Sequence, residues 1–223
     1  MAKIFAHTND GYVARINDAT WADARINTSG TANSSTGTYN NVGVSAVVTP
    51  TRGGGTVFNI YRSFFFFDTS GISTDVDSAT FKVYGRTFGD GDLIAVKSNS
   101  DIETLGNADY TAIVGWDASG TDGSGGGDNE SNVTKYSSEI STWSTSGYND
   151  IALRAQALAD MRDDDTVYIC LINFDYDLKD IEPTGYLNRN GFYYINNTGT
   201  SKDPYIDYTL VADNNAIFFG HNF

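Results

Sequence analysis

Apolar residues in this chain recur with a period of two far more often than with a period near four. The longest such stretch, Val57 to Phe67 (VFNIYRSFFFF), puts Phe58, Ile60, Phe64 and Phe66 on one side of an extended backbone and Val57, Tyr61, Phe65 and Phe67 on the other. Successive strand residues point to opposite faces, and β-branched and aromatic side chains favour the pleat. With both sides apolar, the segment is predicted to be a central strand covered on both faces. In ATFKVY, Ala79, Phe81 and Val83 alternate instead with Thr80, Lys82 and Tyr84. This predicts a half-buried strand that shows its polar side to water or to a partner. Further strands are predicted over Lys3–His7, Asp92–Lys97, Asn149–Leu153, Thr166–Phe174, Phe192–Ile195 and Pro204–Leu210. Helical spacing is confined to Ala155–Met161 (AQALADM), about two turns.

Between these runs lie clusters of turn formers, such as Arg52-Gly53-Gly54-Gly55, Gly89-Asp90-Gly91-Asp92 and Asn190-Gly191. Many strands, many turns and one short helix near 155–161 predict an all-β fold, a jelly-roll-like antiparallel β-sandwich. A chain of this size buries roughly 70% of its extended surface, enough for a substantial core. Residues 1–223 are therefore read as a single domain, with 1–20 and 212–223 as N- and C-terminal anchoring segments. The Gly/Ser-rich stretch Asp117–Asn132 (DASGTDGSGGGDNESN) reads as a long surface loop rather than a linker, because neither side of it alone holds enough strong strands for a core.

Charge narrows the range of partners. Against 14 Lys+Arg stand 28 Asp+Glu, a net charge of −14 with no basic run, so nucleic acid and anionic membranes are disfavoured. The longest apolar stretches fall short of the roughly 20 residues a spanning helix needs, so no membrane insertion is expected. MAKIFAHTNDGYVARIND has no continuous apolar core or cleavage site and does not read as a signal peptide. The lone cysteine, Cys170, cannot form an internal disulfide and sits in an apolar alternating run, which suits a buried, inert thiol.

The string YRSFFFFDTSGISTDVDSATFKVYG, Tyr61 to Gly85, resembles the opening of DNRLRE-type carbohydrate-binding-like β-sandwich domains. Those domains have an Arg-Ser-hydrophobic strand ending in Phe-Asp, followed by a strand of the form Ser-Ala-Thr-x-x-x-Tyr. Thr142-Trp143, YNDIAL (Tyr148 to Leu153) and the strand from Asp203-Pro204 to Tyr208 continue the likeness in order, covering most of Tyr61 to Leu210. The same string, with TVYICLINFDYDL and YYINNTGTSKDPYIDY, is similar to jelly-roll virion proteins of tailed bacteriophages: head decorations, fibres and tail parts. The first resemblance implies only the scaffold. The second implies a protein made in the host cytoplasm and localised to the virion, where neither secretion signal nor disulfide is expected.

Few residues suit catalysis. His7 and His221 stand at opposite ends of the sequence, and Cys170 is far from both, so no nucleophile–imidazole pair is expected, and two imidazoles alone make a poor metal site. No Asp spacing matches a calcium loop; FDYDLKDIE, Phe174 to Glu182, is the best cation candidate, with a solvated loop as the plainer reading. A glycosidase needs two carboxylates across a cleft, which spacing cannot test. No catalytic residue, metal or cofactor is therefore assigned. Trp116 and Trp143, flanking the Gly-rich stretch, with Tyr110 and other tyrosines such as Tyr136 and Tyr148, are the candidates for a glycan-stacking platform, although core packing is the commoner fate of such rings. Ile217, Phe218, Phe219 and Phe223 close the chain. Leaving them wet costs roughly 1.5–3 kcal/mol each, so they are expected to dock onto their own sheet or a neighbouring subunit.

These readings converge on a non-enzymatic virion structural protein. Its expected partners are itself, in a homo-oligomer with a trimer favoured, other virion proteins such as capsid or tail proteins, and host glycans. A carbohydrate-binding module or adhesin is the second reading, and a polysaccharide-degrading enzyme the third.

Overall fold

The computed structural model describes residues 1–34, 43–100, 105–118, 128–195 and 199–212. In chain order the elements are β1 (Ala2–Phe5), β2 (Gly11–Asp18), α1 (Trp21–Ile26), β3 (Thr31–Ser34), β4 (Val44–Pro50), β5 (Thr56–Asp68), β6 (Val76–Gly89), β7 (Leu93–Lys97), β8 (Tyr148–Ala152), α2 (Ala155–Asp163), β9 (Thr166–Asn173), β10 (Arg189–Phe192) and β11 (Tyr205–Leu210). All the strand pairs are antiparallel. The fold is the all-β sandwich that the alternating pattern predicts.

Two long strands organise it. On β5, β2 takes one edge, while β4 and β9 share the other, with β7 beyond β9 and β3 beyond β2. On β6, β8 takes one edge and β11 and β10 the other, with β1 beyond β11. The layers are stitched together at Asn190 of β10, which pairs with both Val44 of β4 and Gly89 of β6.

The period-two arithmetic of β5 decides where the cores lie. Phe65 and Phe67 face β6, meeting Phe81 at ring-centroid distances of 5.0 and 5.4 Å, and join Val83, Leu93, Ile169, Leu171, Phe192 and Ile206 in the core between the layers. Phe58, Ile60, Phe64 and Phe66 face the other way. There Trp21, Ala24, Leu105, Tyr110, Ile113, Val133 and Leu178, from α1 and the loops, roof them over as a second core. The β5 layer is thus buried on both faces, while the β6 layer has a core face (Ala79, Phe81, Val83) and an outward face (Thr80, Lys82, Tyr84). Both sides were expected from the sequence.

The differences are local. Helix α2 runs two residues past the predicted end. A second helix, α1, was not expected: at six residues it is too short to show a period, and it is held by the Thr20 cap, whose Oγ1 accepts from the Asp23 amide at 3.1 Å. Strands β2, β3 and β4 were also unforeseen. Strand β10 begins at Arg189, three residues before the predicted strand, and takes in Asn190-Gly191, whose turn-like composition misleads because Gly191 lies within the ladder. Cys170 is fully buried, and burial raises its thiol pKa well above the ordinary range, as suits an inert core thiol. Among the described residues, no helix is long and apolar enough to cross a membrane.

Candidate functional site

Tyr110 and Trp116, two of the expected glycan-stacking residues, come together, but around a guanidinium. Arg62 interrupts the apolar face of β5 that packs under the loops and is completely buried. Its Nε and Nη2 donate to the two carboxylate oxygens of Asp177, both at 2.7 Å, and its Nη1 donates to the Tyr110 carbonyl at 2.6 Å. The rings of Tyr110 and Trp116 each lie 4.1 Å from its central carbon. Burial pulls the Arg62 pKa down, but Asp177 more than compensates, leaving the guanidinium a stronger base than usual.

Arg25 of α1 joins the node through bonds to the carbonyls of Asp177 (2.6 Å) and Leu178 (3.3 Å) and an ion pair with Asp180 (3.4 Å). Asp177 is presented by a single π-helical turn, Phe174–Leu178, started by Asn173, whose Oδ1 accepts from the Tyr176 amide. With Tyr110 fully buried and its hydroxyl donating to the Ala24 carbonyl at 2.6 Å, the node locks helix to strand and loops. A sugar cannot stack on the enclosed Tyr110 ring, which corrects the expectation for that residue.

Trp143 is elsewhere. Half-buried against the core between the layers, it donates through Nε1 to the Gly191 carbonyl at 3.4 Å and packs on Phe192 at 5.9 Å. Trp116 belongs to the second core. The two tryptophans near in sequence to one loop therefore pack against different cores and form no common platform. Tyr136 is also buried, its hydroxyl donating to Asp160.

Aromatic rings do line up on the outward face of the β6 layer. Phe5 of β1, Tyr205 of β11, Tyr148 of β8, Tyr84 of β6 and Tyr193, just past β10, form a row whose successive centroids stand 5.6, 5.2, 5.1 and 5.8 Å apart. Phe5 is 47% exposed; Tyr148, Tyr84 and Tyr193 are half-buried, and Tyr205 is enclosed by its neighbours. Lys3 sits 4.0 Å over Tyr205 at one end, and Lys202 sits 4.4 Å over Tyr193 at the other. Among the described residues neither ammonium pairs with a carboxylate. In the middle of the row, Lys82 is paired with Asp150 at 2.7 Å. Tyr148 bridges the face by donating to the Ser201 and Asp203 carbonyls, and burial, with its tyrosine and aspartate neighbours, pushes its phenol up to about 12. Of these rings only Tyr148 was named from sequence. Tyr84 was already legible as an outward position of the ATFKVY alternation, whereas Tyr193 and Tyr205 depend on pairing partners far along the chain.

The acidic segment Phe174–Glu182 is mostly spoken for: Asp177 serves Arg62, and Asp180 serves Arg25 and Trp21 Nε1. Only Asp175 joins a group able to hold a cation, with Asp92 and Glu139, whose donor oxygens all lie within 4.8 Å of one another. Burial first, then the charges of Asp175 and Glu139, raises the Asp92 pKa, and Lys179 stands 3.4 Å from Asp175 as a partial counter-ion. An open groove of about 650 Å³ runs between Lys97–Ser100 and Asp163–Thr166; Lys97 within it is tied to Asp160 at 2.9 Å and Asp164 at 3.4 Å.

Ile217, Phe218, Phe219 and Phe223 lie outside the described residues, as does His221. Strand β11, which leads towards them, lies against β1. Four of the eight large hydrophobic residues that stand exposed, Met1, Phe5, Leu210 and Val211, gather on these two strands and their ends. Strand β1 terminates its sheet, with no second strand partner among the described residues. No protein-family model matches this sequence, and none of the curated proteins matches it.

Proposed function

We propose that this chain is a non-enzymatic structural protein of a tailed-phage virion, a capsid decoration, fibre or tail component, that works through homo-oligomeric assembly and surface contact. The observation that carries the reading is the β1/β11 margin. A strand with an open hydrogen-bonding edge, fringed by exposed apolar side chains, is a template for pairing with another chain unless something covers it. The segment from Ile217 to Phe223 follows β11 and supplies more apolar surface of the kind that seals such an edge, on its own sheet or on a neighbour. The sequence resemblance to jelly-roll virion proteins and the sandwich fold agree with this role.

Light scattering on the purified full chain tests it. The full chain is expected to be oligomeric and to bind phage particles or capsid and tail proteins. A truncation lacking 216–223 should keep its β-rich circular dichroism yet lose both properties. A monomeric full chain, or a truncation that assembles unchanged, refutes the reading.

A second reading, a carbohydrate-binding module or adhesin, is favoured by the aromatic row across the β6 layer, since half-buried rings on a rigid sheet offer apolar surface for sugar C–H groups.

A further inference from the structure

The aromatic row has a charge pattern as well as a shape. The protein carries −14 overall, and most of its cations are tied to carboxylates, as Arg15 is to Asp18, Lys97 to Asp160 and Arg162 to Asp75 and Asp163. Lys3 and Lys202 depart from this rule, and they stand at the two ends of one row of rings. Arg86 adds a guanidinium 5.1 Å over Tyr193. Between the ends the surface is neutral: Lys82 is cancelled by Asp150, and the accessible groups are tyrosine rings and hydroxyls.

We propose that this outer face binds a linear polysaccharide that carries occasional carboxylates separated by neutral sugars, the neutral sugars lying on Tyr148, Tyr84 and Tyr193 and the carboxylates meeting Lys202 and Lys3. This rests on the carbohydrate-binding reading and specifies its ligand class. Charge complementarity selects the occupant. Neutral glycans gain nothing from two ammonium groups held over rings. A densely charged polyanion such as nucleic acid is repelled by the surrounding acidic surface, because two or three cations cannot offset that field along many phosphates. A sparsely charged acidic glycan satisfies both ends and meets no like charge in the middle. The cations already sit against ring faces, where a cation–π contact stabilises them. A bound carboxylate needs only to approach the exposed side of each ammonium.

Affinity electrophoresis and calorimetry of the full chain against gellan, whose repeat has one uronate among neutral sugars, test the proposal, with carboxyl-reduced gellan, dextran and a single-stranded DNA oligonucleotide as the other probes. Gellan is expected to bind, with affinity falling as salt is raised; the reduced polymer should bind about tenfold more weakly, and DNA not at all. Tyr193→Ala is expected to lose about tenfold in gellan affinity and Tyr193→Phe to keep most of it. Lys202→Glu, a surface change that leaves the fold intact, should abolish the preference for gellan over its reduced form. Equal binding of both polymers, in the parent or with Lys202→Glu unchanged, overturns the anionic-glycan assignment but leaves glycan binding standing. Binding of none of the sugars, or of DNA alone, removes both.

Discussion

Cations lie over aromatic rings on both sides of this sandwich, and the two arrangements are built to opposite ends. Under the loops, Arg62 is enclosed between Tyr110 and Trp116, fully buried, with its fork closed on Asp177 and its remaining donors on carbonyls. On the outward face of β6, Lys202 and Lys3 lie over Tyr193 and Tyr205 at the edge of solvent with no carboxylate partner among the described residues. A buried charge is tolerable only when paired and fully hydrogen-bonded, so the first arrangement has no capacity left for a ligand. An ammonium at the surface is solvated at little cost and keeps its capacity. The carboxylate, more than the ring, distinguishes a structural node from a surface able to recognise something.

The comparison breaks most readily at Arg62. Arg62→Ala leaves Asp177 buried without its partner, and urea unfolding is expected to show a loss of about 3–5 kcal/mol. Asp177→Ala should cost a similar amount, and the double variant much less than the two added together, because both singles remove one shared interaction. A loss below about 1 kcal/mol for either single change would mean that the node does not hold the loops down.

Next in size is Tyr110→Phe. The ring that stacks on Arg62 stays, but the Ala24 carbonyl loses its 2.6 Å donor in a site closed to water, so about 1–2 kcal/mol should be lost. The equivalent change outside, Tyr193→Phe, should leave the unfolding midpoint unmoved.

Two carboxylates carry the same contrast into pH. At Asp160, burial opposes ionisation, but donors from Tyr136, Lys97 and Gln156 outweigh it and lower the pKa. That contribution is complete above the ordinary carboxylate range and is lost as pH falls through the lowered value. At Asp92, burial and the charges of Asp175 and Glu139 raise the pKa, so the folded state binds a proton more readily than the unfolded chain. Stability is then lost as pH rises from the ordinary carboxylate range through the raised value. Thermal unfolding from pH 7 to pH 4 should show Asp92→Asn raising the melting temperature at pH 7 with the gain vanishing in acid, and Asp160→Asn lowering it at pH 7. The same sign for both variants would contradict this account of the two sites.

How much of this was readable in the sequence follows from the range over which each signal acts. The two-sided apolar β5 and the one-sided β6 are local patterns, and both were legible, Tyr84 included. Arg62 was visible as the single charge within VFNIYRSFFFF, and a lone Arg in a covered strand demands a partner, but which of many acids answers it depends on the π-helical turn that aims Asp177. Trp116 and Trp143 share a loop in sequence and separate cores in space, because the strands flanking that loop belong to different layers. The row from Phe5 to Tyr193 unites five segments spread from residue 5 to residue 205, each unremarkable alone, and only the register of β1, β11, β6 and β8 brings them abreast.

The smallest expected effect is also the sharpest test of the difference. Lys202 lies half-exposed over Tyr193 and 3.4 Å from its hydroxyl, an arrangement that surface solvation renders nearly neutral for folding. Lys202→Ala should therefore shift urea unfolding by no more than about 0.5 kcal/mol, a small fraction of the cost at Arg62. A loss of several kcal/mol would place Lys202 among the groups that hold the fold together, and the outward face would then be a second structural node. A negligible loss, obtained with the same assay that registers Arg62→Ala, means that folding does not require an ammonium there, and leaves contact with something outside the chain as the reason for its position.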